Sequence, residues 1–175
     1  MSLVLSTVFL AAVAVLATVH PAQTRESRGH DRSVEVVGTG VHHFSTARIH
    51  SATPTDDGVL VQRSTDTVTL DGDLAGTVLY HSTARIDEAN GTAVVTGAQV
   101  FSGTVLDGAP TLLFDDRFRF DIDLRTGATR GEVHFEPSKD ARHEPRVWCD
   151  LIVTGTGSTP EGDSTFDYRG TCRTR

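Results

Sequence analysis

The feature that most constrains this chain is the pairing written into its C-terminal segment. If the chain reverses around Pro160-Glu161, Cys149 faces Cys172, Leu151 faces Gly170, Val153 faces Tyr168 and Gly155 faces Phe166. Strand side chains alternate with period two, so all of these residues share one face. The opposite face carries Trp148, Asp150, Ile152, Thr154, Asp167, Arg169, Thr171 and Arg173, and is mostly polar. A non-hydrogen-bonded antiparallel pair brings two Cα atoms to about the separation a disulfide needs. The segment therefore predicts an oxidised β-hairpin, cross-linked through Cys149 and Cys172, with one dry face and one wet face. On the chain-entropy model such a cross-link contributes roughly 3 kcal/mol.

The N-terminus suggests why the cysteines are oxidised. Leu3 to Val19 is an apolar run broken only by Ser6, Thr7 and Thr18. Its length suits a signal-peptide core and falls slightly short of a comfortable bilayer span. Val15-Leu16-Ala17 offers the small residues of a cleavage site, and a later cut after Ala22 is the other option, with His20 fitting poorly. No Lys or Arg precedes the run, so an uncleaved N-terminal anchor is the alternative. The absence of a following cysteine argues against a bacterial lipoprotein. Two cysteines in an exported chain read as one disulfide. The expected organisation is a signal peptide over 1–22, a flexible leader over 23–33 and a single domain over 34–175. The expected location is secreted, or periplasmic within the cell envelope. The formal net charge is −7 and lies outside the signal, which disfavours nucleic acid and anionic membrane surfaces as partners.

No amphipathic helix follows the signal. Thr, Val and Gly dominate, in alternating stretches separated by turn residues. Candidate strands are Val34 to Val41, Phe44 to Ser51, Val59 to Leu70, Leu74 to Asp87, Thr92 to Leu106, Thr111 to Leu124, Thr129 to Glu136, Val147 to Thr156 and Ser164 to Arg173; the first two can form one bent strand. Turns fall at Asp71-Gly72-Asp73, Glu88-Ala89-Asn90-Gly91, Asp107-Gly108-Ala109-Pro110 and Arg125-Thr126-Gly127-Ala128. Two more hairpins give consistent faces. One pairs Val78 with Phe101, Tyr80 with Gln99, Ala84 with Val95 and Gly76 with Gly103. The other pairs Phe118 with Phe135, Phe120 with Val133 and Ile122 with Gly131, and sets Arg117 against Glu136 and Asp123 against Arg130. A meander of this length leaves two open edges unless it closes. The expected fold is therefore all-β, an antiparallel up-and-down β-barrel of about eight strands ending in the disulfide-linked hairpin. A sandwich is the alternative; an immunoglobulin domain is disfavoured because Trp148 precedes both cysteines and their spacing is too short.

The run Thr67-Val68-Thr69-Leu70-Asp71-Gly72-Asp73-Leu74-Ala75-Gly76-Thr77 is followed by a long strand, Asn90-Gly91, a second long strand and Asp107-Gly108. Phe114-Asp115-Asp116-Arg117-Phe118-Arg119-Phe120, Thr126-Gly127 and Arg130-Gly131 come next. This succession resembles the allene oxide cyclase-like barrel superfamily, in particular its bacterial branch, over roughly residues 34 to 136. The resemblance implies a barrel with a dry cavity. It also implies, if the chain is an enzyme, a cyclase or isomerase working by shape and electrostatics without metal or nucleotide cofactor. No catalytic residue of the plant cyclase maps onto this sequence. Dirigent proteins, which steer radical coupling, are similar in architecture and likewise need a cavity rather than a motif.

Candidate site residues follow from the faces. If Phe118, Phe120 and Ile122 point inward, Asp116 points inward beside Phe114, and a carboxylate among aromatics could act as an acid or orient a ligand. An open strand end, or pairing with Arg63, is the structural alternative. Tyr80, Ser82 and Gln99 share the Val78–Phe101 face and could line a cavity, with Tyr80 as donor or acid. Equally, Val94, Val100 and Leu106 could mark the inner face. Phe101, Phe118, Phe120, Phe135, Tyr168 and Gln99 are the expected ligand-binding set, and Asp116 and Tyr80 the expected catalytic pair. His42, His43, His50, His81 and His134 read as surface histidines, since no metal-binding spacing occurs. There is no G-x-S-x-G, phosphate loop or dinucleotide fingerprint, so neither cofactor nor metal is expected. Asn90-Gly91-Thr92 is formally a glycosylation acceptor, but its Asn-Gly pair already serves the turn. Three functions stay open: a secreted barrel binding a small apolar or amphipathic molecule, a cyclase or isomerase using the same cavity, or a structural or interaction module with a packed barrel.

Overall fold

The computed structural model describes residues 32–139 and 146–174; the expected signal peptide and nearly all of the expected leader lie outside the described residues. The strands are β1 (Arg32–His42), β2 (Arg48–Pro54), β3 (Leu60–Gly72), β4 (Leu74–Asp87), β5 (Thr92–Val105), β6 (Thr111–Asp115), β7 (Arg119–Asp123), β8 (Thr129–Pro137), β9 (Val147–Ser158) and β10 (Ser164–Thr174). A 3-10 turn, η1, covers Phe44–Thr46. All pairings are antiparallel. They run β1–β10–β9–β8, pass through β6 and β7, continue β5–β4–β3, and return to β1. The sheet thus closes into an eight-stranded barrel in which β6 and β7 share one position. Closure pairs Gly38 with Gly72 through to His42 with Val68. It covers the edges that a meander would otherwise expose, apart from β2, which pairs with β3 alone among the described strands.

Two of the hairpins have the register read from the sequence. Cys149 lies opposite Cys172, Val153 opposite Tyr168 and Gly155 opposite Phe166, and the disulfide is formed. Val78 pairs with Phe101, Tyr80 with Gln99 and Ala84 with Val95. Val94 and Val100 alternate with the buried Ala93, Val95, Gln99 and Phe101, so they point outward; Leu106 lies exposed in the following turn.

The third hairpin corrects the sequence reading. Thr111 to Leu124 is not one strand but two, interrupted at 116–118. Phe120 pairs with Gly131 rather than Val133, and Ile122 with Thr129. The expected Arg117–Glu136 and Asp123–Arg130 pairs give way to Arg119 opposite Glu132 and Asp121 opposite Arg130. The turn supplies one reason. The Asp123 carboxylate accepts from Arg125 N at 2.8 Å and Thr126 N at 3.2 Å, and Gly127 takes the left-handed conformation at φ 73°. That loop closes on Asp123 and Ala128, which sets the register. The interruption supplies the other. Asp115 accepts from Arg117 N at 2.7 Å and His134 N at 2.9 Å, so a carboxylate replaces backbone carbonyls in the ladder. The break inserts one residue and switches which positions face inward. Asp115 and Phe118 point in; Asp116 is exposed.

Phe44 to Ser51 also departs from the single strand expected. The chain leaves β1 at His42, makes η1, and resumes as β2, which pairs with the first half of β3 while β1 pairs with the second. β1 and β2 are therefore one interrupted line along β3, with η1 crossing the rim between them.

The interior divides into two ends. Around the disulfide, Val36, Leu74, Phe101, Leu113, Cys149 and Cys172 are essentially inaccessible and form a solid plug. Tyr168 ties the seam beside it. Its hydroxyl accepts from Leu74 N at 2.7 Å and lies within donating distance of Leu74 O and Asp71 O. Gly38 is required there, because any Cβ would collide with the Tyr168 hydroxyl and Asp71 O. Toward the other end side chains become smaller or more polar, and the barrel is hollow.

Candidate functional site: the hollow end of the barrel

The cavity has a volume of about 360 Å³ and opens at the end where η1 crosses the rim. That is the lower end of the usual range for small-molecule sites. Its walls differ. On the β8–β10 side it is apolar, formed by Val133, Phe135, Leu151, Val153 and Phe166. On the β3–β5 side Ser64, Tyr80, Ser82 and Gln99 line it between apolar residues such as Val68, Val78 and Val95, with His42 at the end of β1.

The polar wall has a simple construction. Asp66, Tyr80, Gln99 and Asp115 are directly paired neighbours on β3, β4, β5 and β6. The same register carries one inward polar row across four strands; Tyr80 and Gln99 of that row line the cavity, whereas the buried Asp66 and Asp115 do not. The row nearer the plug is apolar, with Val68, Val78, Phe101 and Leu113 in the same order. Gln99 Nε2 donates to Asp115 Oδ2 at 3.1 Å, which completes the set of donors around that carboxylate. Ser64 Oγ donates to Asp66 Oδ2 at 3.1 Å and lies 3.0 Å from Ser82 Oγ. His42 Nε2 lies 3.3 Å from Asp66 Oδ2 but out of hydrogen-bond geometry, and has no hydrogen-bond partner among the described residues. Asp66 is only 2% exposed, and its Oδ1 has no partner among the described residues.

Tyr80 sits at the centre. Its ring stacks on Phe118 with centroids 4.6 Å apart and meets His42 edge-on at 5.0 Å and Phe120 at 6.2 Å. Burial pushes its phenol pKa well above the ordinary value, and the charges of Asp66 and Asp115 push it further the same way. Tyr80 is therefore a neutral hydroxyl at any physiological pH.

Over the opening lies a short lid. Phe44 lines the cavity and packs against the His42 ring at 3.9 Å. The lid is latched to the β9–β10 turn through Asp163, which accepts from Ser45 N at 2.8 Å and lies 3.2 Å from His43 Nδ1. The Ser45 hydrogen bond, with His43 behind it, holds the Asp163 carboxyl below its ordinary pKa.

Of the residues expected to bind ligand, Gln99, Phe120, Phe135 and Tyr168 line the cavity, as does Tyr80 from the expected catalytic pair. Tyr168 presents its ring, its hydroxyl being committed to the seam. Phe101 and Phe118 do not line it: Phe101 belongs to the plug and Phe118 lies behind Tyr80. Asp116 stands on the outer surface, one residue from the inward carboxylate Asp115, because of the break between β6 and β7. His42 is not a surface histidine but part of the cavity wall. Of the others, His50 and His81 flank Thr65 on the outside and His134 pairs with Asp150 at 2.9 Å. Among the described residues no three His, Cys, Asp or Glu converge as a metal site would need. The sequence reading missed His42 and Asp66. The alternation of Gln62, Ser64, Asp66, Val68 and Leu70, folded back about Asp71-Gly72-Asp73, places Asp66 opposite Tyr80 and could have found the latter. No protein-family model matches the chain, and comparison with the curated proteins and with the solved structures found no match.

Proposed function

We propose that this protein works outside the cytoplasm as a container for a small molecule with an apolar body and one polar end. The observation that carries the reading is the asymmetric interior: a barrel plugged at one end and hollow at the other, the hollow being mainly apolar with a few polar side chains, Ser64, Tyr80, Ser82 and Gln99, on its β3–β5 side. A barrel serving only as a rigid module gains stability from filling its interior. Here the fold keeps Ser64, Ser82, Ala84 and Ala93 where larger apolar residues would pack, and leaves a mainly apolar space with a few hydrogen-bonding groups on one side. The disulfide is compatible with an extracellular or periplasmic setting. The resemblance to allene oxide cyclase-like barrels supports the same use of the interior. A cyclase or isomerase reading is favoured by one feature, the His42–Asp66 contact beside the neutral Tyr80 hydroxyl. In that reading Tyr80 and His42 are the polar groups, and Asp116 has no part.

The test is native mass spectrometry of the mature protein, purified with its disulfide intact from its own host, beside the Ala84→Trp variant. A copurifying small molecule carried by the parent protein and lost from the variant supports the proposal. A bare mass for the parent, with no gain in Tm across a panel of lipophilic compounds, overturns it.

A further inference from the structure

Two polar atoms of the cavity wall, the Tyr80 hydroxyl and Gln99 Oε1, have no hydrogen-bond partner among the described residues. Their residues are only 4% and 5% exposed, and both line the cavity. Neither atom is sealed off as Asp66 Oδ1 and His42 Nε2 are, so both meet the hollow. The orientation of the amide is fixed from behind. Gln99 Nε2 donates to Asp115 Oδ2 at 3.1 Å, and an ionised carboxylate only accepts, so Oε1 is the atom turned away from Asp115. Tyr80 and Gln99 are directly opposite each other on β4 and β5, which sets a donor beside an acceptor on the inner face. Buried polar groups without partners are costly, and a ligand that reaches both removes that cost.

The neighbouring serines add acceptors only. Ser64 Oγ gives its proton to Asp66 Oδ2, so the 3.0 Å contact between Ser64 Oγ and Ser82 Oγ is donated by Ser82. Both hydroxyl protons run toward Asp66, and the serines keep lone pairs for the cavity. Tyr80, held neutral by burial, keeps its proton and can donate it. No Lys, Arg, Asp or Glu lines the cavity. Its one basic side chain, His42, has Nε2 sealed beside the Asp66 carboxylate. An ammonium or carboxylate brought into the hollow loses its water without touching a counter-charge, a cost that an uncharged group avoids.

We propose that the hollow end of the barrel selects an uncharged alcohol or phenol with an apolar body, its hydroxyl accepting from Tyr80 and donating to Gln99 Oε1 while the body lies on Val133, Leu151 and Val153. This rests on the container reading above and names its ligand class. A hydroxyl is the smallest neutral group that donates and accepts at one atom, which is what the adjacent donor and acceptor ask of a ligand.

The test is isothermal titration calorimetry of the disulfide-intact protein at pH 7.5 with 2-phenylethanol, its isomer benzyl methyl ether, 2-phenylethylamine and phenylacetate, compounds of similar bulk that differ in the polar group. The alcohol is expected to bind tightest. The ether accepts from Tyr80 but brings no donor for Gln99, and is expected to bind about fivefold more weakly. The amine and phenylacetate, both charged at this pH, are expected to bind at least about tenfold more weakly. Tyr80→Phe removes a hydroxyl that no described protein group uses, so the variant is expected to keep its Tm and to bind the alcohol about fivefold more weakly. If the variant does not fold, the ether and the two ions decide the matter in the parent protein. The ether or either ion binding as tightly as the alcohol overturns the inference and leaves the container standing. Undiminished alcohol binding by folded Tyr80→Phe does the same. No binding by any of the four overturns both.

Discussion

Truncating two phenylalanines of the same barrel should have unequal consequences, and the difference measures how empty the interior is. Phe101 is wholly inaccessible and sits in the plug, between Val78 and Leu113 in its row and 5.6 Å from the Phe135 ring. Phe101→Ala loses the transfer free energy of the removed ring atoms, about 2 kcal/mol. It also leaves a void of roughly 60–80 Å³ walled by rigid strands, worth about 1.5–2 kcal/mol. The total is about 3.5–4 kcal/mol, a large part of the roughly 5–15 kcal/mol expected of a domain. Phe120 lines the cavity and packs on one side against Gly131, where no Cβ could fit beside its ring. Phe120→Ala adds space to a hollow that already exists, so only the partial transfer term applies, about 1–2 kcal/mol. The assay is urea unfolding of both variants with the disulfide intact, followed by far-UV circular dichroism and fitted with a common m-value. Equal losses of 3 kcal/mol or more would refute the division into plug and cavity, because they would mean that Phe120 too stands in a filled interior. A loss under about 1 kcal/mol for Phe101→Ala would refute it from the other side.

Two further outcomes follow from the same layout. Replacing Cys149 and Cys172 together by serine should cost about 3 kcal/mol in urea unfolding, given a sequence separation of 23, yet leave ligand affinity unchanged because the cross-link lies in the plug; altered affinity in a folded variant would show that the two ends are coupled. The lid latch should be sensitive to acid. Asp163 has a folded-state pKa below its unfolded value of about 3.8, so its contribution is complete above that value and is lost as pH falls through the lower, folded one. Hydrogen exchange at the Ser45 amide should therefore be protected at pH 5–7 and gain openness only below about pH 3.8, whereas Asp163→Asn should expose it throughout; full protection in Asp163→Asn would exclude the latch.

What the sequence determined by itself was local pairing. The alternation around Pro160-Glu161 and Asn90-Gly91 is enough to place Cys149 opposite Cys172 and Tyr80 opposite Gln99, because period two leaves one register that buries the apolar set. The closed all-β architecture followed, since so many consecutive hairpins have no other way to remove their edges. The site depended on what alternation cannot see. One inserted residue at the β6–β7 break exchanged Asp116 for Asp115, and the reason is a carboxylate bonded to His134 N on another strand. His42 joined Asp66 and Tyr80 only because β1 closes the barrel against β3, a contact between segments with no turn between them to announce it. Whether the interior is full or hollow was likewise a tertiary matter. It depends on the sum of side-chain volumes around a closed ring, and Phe101 and Phe120 look alike until the ring is closed and only one of them is found with neighbours on every side.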